Sequence, residues 1–416
     1  MTGVVDKLME VLVLGGGAAG MMSAISVKMH HNDYNVTILE KQSRVGKKLS
    51  ATGNGRCNIS NAFIEREDYH GENSLFANYA CWEFSSADLV EVCDDMGLLI
   101  RVPDDKDEDD MRMYPFSEQA SSVVDILRFQ LEKYKINTVL DTEVKEIIKN
   151  GDKFTVITEG DGRFMADKVI VALGGAAGRR ISGSMSGYDI LKKLGHSCTK
   201  LYPAIGPIKT ETDFVRTLKG VRAEVYLEIR RDNGDRLINN YGEIQFTDYG
   251  ISGPVVFEIS REINKRKGLV ACIDFLCGVT RNRVRDVIRK KVKNYPDQVI
   301  SNLLVGIVHN KIGRSILSSL GFNLNDKVSS ITDDDIRKIV SSLGNKQIKI
   351  IKNMNFDYAQ VTMGGIRTSE VDPETMKSLI CDGLYLCGEI LDIDGDCGGY
   401  NLHWAWASGF LAGKLL

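Results

Sequence analysis

The first regular pattern in the chain is Val11–Leu14, four apolar residues bounded by Glu10 and Gly15. A short, continuous apolar run predicts a strand buried on both faces, as in a parallel sheet. Gly15 to Gly20 end it, Ala18–Met29 continues at helical spacing without a breaker, and Val36–Leu39 is a second apolar run closing on Glu40. This is a βαβ unit. Further on, Asp125–Tyr134 predicts a helix. Val139–Ile148, Phe154–Thr158 and Phe164–Ala166 predict a small antiparallel sheet with turns at Asn150–Gly151 and Gly160–Gly162. Lys168–Leu173 is another buried strand, running into Gly174–Gly175, and the helix Ser186–Leu194 stops at Gly195.

The texture changes at about Tyr202. Alternating strands, such as Ala223–Arg230, fill 205–278, and amphipathic helices, including Val284–Val292 and Asp333–Ser342, fill 281–343. Glycine-rich segments return from about 354. The expected organisation is therefore one nucleotide-binding domain in two parts, 1–200 and 354–416. Between them lie a β-rich subdomain (201–280, with 344–353) and a helical one (281–343).

Composition narrows the function. With 416 residues, 43% hydrophobic and 26% charged, the chain fits a multidomain globular protein. Its formal charge of −3 argues against nucleic-acid binding as the main activity. The run Asp104–Asp110 reads as a solvated acidic loop. Nine cysteines without a CxxC pair indicate neither a disulfide framework nor a zinc site, so no metal is expected and a reducing cytoplasm fits. The N-terminal segment lacks the features of a secretory signal, and no long apolar stretch predicts a membrane span.

The chemistry lies in the glycine loops. Gly15, Gly17 and Gly20 fit GxGxxG between a strand and a helix, with Glu40 at the end of the next strand. Gly15 permits the turn, Gly17 lets a pyrophosphate approach the backbone, and Gly20 lets helix and strand pack closely. The free N–H groups of a helix starting at Ala18 and Ala19 attract the anion, and Glu40 suits ribose hydroxyls. Three features favour FAD over NAD: the glycine- and base-rich stretch that follows Glu40, the second strand–glycine element ending at Gly174, and Gly388–Glu389 after Leu384–Leu386, whose carboxylate suits a ribityl chain. A helix beginning near Tyr400 would aim its N-terminus at the flavin.

The stretches VLVLGGGAAGMMSA (11–24), GKKLSATGNGRCNISN (46–61), VIVALGG (169–175), FTDYGISGP (246–254), AQVTMGGI (359–366) and GLYLCGEILDIDGDCGGYNLHWAWASGFLAGK (383–414) run nearly end to end. They resemble the bacterial aminoacetone oxidase-like NAD(P)/FAD-dependent oxidoreductases, a family with a branch linked to bile-acid dehydroxylation. The resemblance implies an α/β fold: a glutathione-reductase-like FAD-binding Rossmann domain interrupted by an inserted β-barrel and helical domain. It implies that Gly15, Gly17, Gly20, Glu40, Lys41, Gly46 and Lys47 serve the adenosine and pyrophosphate side, with the Val144 backbone at adenine. Arg56, Cys57, Asn58, Gly388, Glu389, Gly399, Tyr400 and Asn401 would lie near the ribityl chain and flavin ring. Asp248 stands where many members carry histidine, which puts the proton chemistry of that loop in doubt.

A flavin carries the electrons itself, so no catalytic triad is required. His403, Asp248 and Cys57 are the candidate catalytic residues, each with a bland alternative in packing or surface pairing. The expected function is an FAD-dependent oxidoreductase acting on a small molecule, with NADH or NADPH as transient reductant. The candidate substrate is an unsaturated oxo-steroid or bile-acid intermediate. The alternatives are an amine oxidase of the aminoacetone type, flavin-dependent tRNA modification and a non-catalytic flavin sensor. Oligomeric state is not legible.

Overall fold

The computed structural model describes residues 8–103, 111–264 and 266–416. The first residues of the N-terminal segment and the acidic run Asp104–Asp110 lie outside them. The chain forms two compact units, Met1–Pro203 with Gln360–Leu416, and Ala204–Ala359.

The first unit is built on a five-stranded parallel sheet. Its order is Leu384–Leu386, Lys168–Val171, Glu10–Leu14, Asn35–Leu39, Asn137–Val139. Val11 to Leu14 are all buried, which is why no polar residue interrupts them. The helix Ala18–His30 is buried continuously from Ala19 to Val27. One face packs on the sheet side and the other meets the helix Tyr400–Lys414. That second contact depends on glycine: a Cβ on Gly409 would lie 2.5 Å from Ala19 O, and one on Gly413 would lie 2.5 Å from Ser23 O. Gly409→Val is accordingly expected to destabilise the unit by about 1–3 kcal/mol. Chemical denaturation checks this, and an unchanged midpoint would show that the two helices can part without loss.

The stretch Val139–Ile148 does not form one strand, as its sequence suggested. Asn137–Val139 joins the parallel sheet, and a turn separates it from Val144–Asn150. The latter pairs antiparallel with Lys153–Thr158, which pairs with Arg163–Ala166. The break follows from hydrogen bonding: Asp141 N–H and Thr142 N–H donate to the carbonyls of Gln42 and Glu40, not to a neighbouring strand.

The second unit contains a closed six-stranded barrel. Around it run Ile208–Thr210, Gly250–Ser252, Arg236–Phe246, Arg222–Arg231, Leu269–Asp274 and Lys346–Asn353. Val225, Leu227 and Ile229 point into its core at period two. The region read as strands alone also holds the helices Asp213–Thr217 and Pro254–Ile263. Pro254 opens the latter at a position where a missing N–H is harmless. Val255, Val256, Ile259 and Ile263 then fill the barrel core. Arg281–Asn294, Asn310–Ser319 and Asp333–Leu343 complete the unit. Among the described residues no helix is long and apolar enough to cross a membrane.

Candidate functional site

At the carboxyl end of Glu10–Leu14 the chain turns through Gly15, with φ +102°. A Cβ on Gly20 would overlap the carbonyl oxygen of Gly15, so turn and helix are in backbone contact. Gly17 is different: a Cβ there would meet nothing within 4 Å. The helix it opens has no side-chain cap and no acidic residue in its first turn. An uncompensated positive helix end therefore faces open space, the condition for binding an anion. Ala18 and Ala19 begin that helix.

Glu40 is buried beside this loop, accepting N–H bonds from Gly16 at 2.6 Å and Gln42 at 2.8 Å. Each oxygen keeps acceptor capacity for a hydroxyl. Glu40 N–H donates to Val139 O and Thr142 N–H donates back to Glu40 O, both at 2.9 Å. These bonds hold the approach to Val144 against the Glu40 turn. Lys41 is half-buried in that turn. Lys47 donates to Gln42 Oε1 at 2.7 Å, and Gly46 N–H donates to Gly16 O at 2.8 Å.

The TGNGRCN segment is a tight coil. Gly53, Asn54, Gly55 and Cys57 all have φ between +55° and +86°. A Cβ on Gly53 would come 2.8 Å from Asn58 N, which explains that glycine. The Arg56 guanidinium lies 4.9 Å from the centre of the Tyr114 ring. Asn58 Oδ1 is buried without a hydrogen-bond partner, and a Cβ on Gly399 would lie 2.9 Å from it. Gly399 (φ +105°) opens the helix Tyr400–Lys414, a second helix without a side-chain cap or an acidic first turn. Asn401 spends its amide on the preceding loop, donating to Gly395 O at 2.7 Å and accepting from Gly395 N at 2.8 Å. Tyr400 accepts the Tyr69 hydroxyl on its carbonyl, and burial pushes its phenol up to about 12.

Gly388 joins this region to the first loop, since a Cβ on it would lie 2.9 Å from the Ala19 Cβ. Glu389 accepts Thr362 N–H at 2.9 Å and pairs with Lys48 at 2.5 Å. Gly174 (φ +70°) borders open space. Lys48 and Thr362 lie in the stretches 46–61 and 359–366 already singled out, but no spacing links either to Glu389.

Of the three candidate catalytic residues, His403 and Cys57 lie in the first unit and Asp248 in the second. His403 is fully buried, bonded through Nδ1 to Ser60 Oγ at 3.0 Å. Burial pushes its pKa down to about 4, against smaller opposing pulls from the Phe84 carbonyl and Asp88. Cys57 is buried, and burial pushes its thiol up to about 12, only partly offset by Thr52. Asp248 belongs to the second unit, exposed and paired with Lys219 at 2.8 Å, which holds its carboxyl below the usual range. Trp404 and Trp406 are buried and donate to Gly388 O and Ile59 O, so they brace the site from behind. Among the described residues no cluster of three or more His, Cys, Asp or Glu could hold a metal.

Open space at Gly17 and Gly174, two bare helix N-termini, two oriented carboxylates and the orphaned Asn58 Oδ1 fit an elongated dinucleotide. Comparison with known proteins agrees. The model of the HI0933-like protein Rossmann domain matches residues 9–415. A 3-dehydro-bile acid delta(4,6)-reductase of Clostridium scindens is 34% identical over 406 residues, covering 97% of each chain. Ribosomal RNA dihydrouridine synthases of Haemophilus influenzae and Escherichia coli are 25% and 26% identical, covering 96% and 98% of both chains respectively. The chain belongs to the HI0933-like Rossmann family and is an FAD-dependent oxidoreductase.

Proposed function

We propose that the protein reduces an activated carbon–carbon double bond in a small oxo-steroid or bile-acid-like molecule, taking its electrons from NADH or NADPH. The observation that carries this is the end-to-end similarity to the bile-acid reductase, well above that to the RNA enzymes. Bound FAD would supply the hydride chemistry that links the nicotinamide to the double bond. The chain contributes positioning. Glu40 and the Gly17 helix end hold the adenosine and pyrophosphate side, and Glu389 with the Gly399 helix end holds the ribityl and flavin side. One glycine loop serves one dinucleotide, so the reductant binds transiently and departs. His403, enclosed, and Cys57, a buried thiol, are poor donors for the proton that completes the reduction, so that proton would come from solvent water.

Anaerobic mixing tests this directly. NADH or NADPH is expected to bleach the yellow flavin, and a 4-ene-3-oxo bile acid to restore it. Flavin that stays yellow with both nicotinamides would rule out the reductase. The two RNA-modifying relatives favour a second reading, since dihydrouridine is uridine with two hydrogens added across a ring double bond. Reoxidation by ribosomal RNA, with no response to steroids, would select it.

A further inference from the structure

Glu389 follows the edge strand Leu384–Leu386, and both of its carboxylate oxygens are engaged. Oε1 accepts the Thr362 N–H at 2.9 Å, and Oε2 pairs with Lys48 Nζ at 2.5 Å. Gly175 keeps this space clear, because a Cβ there would stand 2.6 Å from Oε1 and 2.5 Å from Thr362 Oγ1. Thr362 is held in turn, its hydroxyl accepting Ala177 N–H at 2.9 Å. Lys48 reaches Glu389 past Gly178, where its ε-carbon lies 3.7 Å from the position a Cβ would take. The two side chains are 30% and 21% exposed, so the pair is open to a ligand yet mostly withdrawn from bulk water. Partners 341 residues apart thus fix one carboxylate in one orientation.

A carboxylate offers about four acceptor positions. Thr362 and Lys48 take one on each oxygen, leaving one on each for hydroxyl donors. Resting on the assignment of Glu389 to the ribityl hydroxyls of FAD, we propose that Lys48 is the positioning residue of that contact. It acts through Glu389, setting the rotamer in which both remaining lone pairs face the cofactor. It also keeps a compensating positive charge beside a carboxylate that loses water when the cofactor enters. Without Lys48, Oε2 is free to turn toward solvent, and the hydroxyls meet an unordered acceptor.

The test uses holoenzyme stripped of its flavin by dialysis and titrated with two probes: FAD, and an FAD analogue whose ribityl hydroxyls are replaced by hydrogen. Wild-type protein is expected to prefer FAD. K48M should weaken FAD by about 10–100-fold, the usual worth of a hydrogen bond to a charged group, while barely changing the analogue. K48R should restore most of the preference. In an E389Q background K48M should add almost nothing. A general packing defect would weaken both probes equally, would not be rescued by arginine, and would overturn the proposal. Loss of FAD binding in E389Q with none in K48M would overturn the role of Lys48 and leave that of Glu389 standing. Wild-type protein indifferent to the ribityl hydroxyls would overturn both. Thermal melting of each apoprotein confirms that the variants compared are folded.

Discussion

Two glycines three positions apart, Gly17 and Gly20, should separate stability from binding. Gly20→Ala is expected to destabilise the apoprotein by about 1–3 kcal/mol and to weaken FAD binding as well. The added methyl has to displace the Gly15 carbonyl, and behind it stands Ala172, whose Cβ would lie 3.3 Å away. The turn that sets the direction of the helix end therefore opens, and with it the proposed pyrophosphate site. Gly17→Ala should leave the apoprotein melting temperature almost unchanged, because a Cβ there meets no protein atom within 4 Å. Its φ of −81° also suits alanine. The same methyl should still weaken FAD markedly, since it enters the open space that the proposed assignment gives to the pyrophosphate. Melting curves of the apoproteins and flavin absorbance after gel filtration give both answers. Full flavin retention in Gly17→Ala would show that the dinucleotide does not approach this residue.

The second large effect is on acid stability. His403 has an ordinary pKa of 6.5 and a folded value of about 4, because burial penalises its charged form. Between these values the unfolded chain binds a proton that the folded chain refuses. Stability from this group is therefore complete above pH 6.5, falls as the pH drops toward 4, and levels off below. The whole loss is on the order of 3 kcal/mol. His403→Asn removes the titration, so its denaturation midpoint should vary less with pH across that window than the wild-type midpoint. Parallel pH dependences for the two proteins would mean that His403 titrates normally and is reached by water.

Much of the first unit was legible because its signals are local. Val11–Leu14, the glycine loop and Glu40 are all contained in one short segment, and each residue type has one stereochemical task there. Asn137–Val139 was missed as a separate strand because it is short and begins with polar residues, while the apolar Ile147 and Ile148 further on drew the boundary toward them. Pro254–Ile263 was hidden among strands, although Gly253–Pro254 is a helix-start signal and Val255, Val256, Ile259 and Ile263 recur at helical spacing. The pair Lys48–Glu389 could not be read at all, since no periodicity links residues 341 positions apart. Gly409 and Gly413 show their purpose only when Ala19 and Ser23 are set against them. His403 was visible as a histidine near the flavin motif, but its enclosure, which decides its chemistry, is a tertiary property.

The first helix has its covering partner on the far side of the second unit in chain order, and this sets a schedule for synthesis. A nascent chain presents Ala18–His30 to solvent with one apolar face bare, then makes the whole of Ala204–Ala359 before Gly409 and Gly413 emerge. At ordinary translation rates of about 5–20 residues per second, that interval lasts on the order of tens of seconds. The barrel has its own core and can close during the wait, whereas the sheet still lacks the edge strand Leu384–Leu386 and the carboxylate of Glu389. If Glu389 serves the cofactor as proposed, flavin capture would be a terminal event of biogenesis, and the exposed face of the first helix is what a ribosome-associated chaperone would find to hold until then.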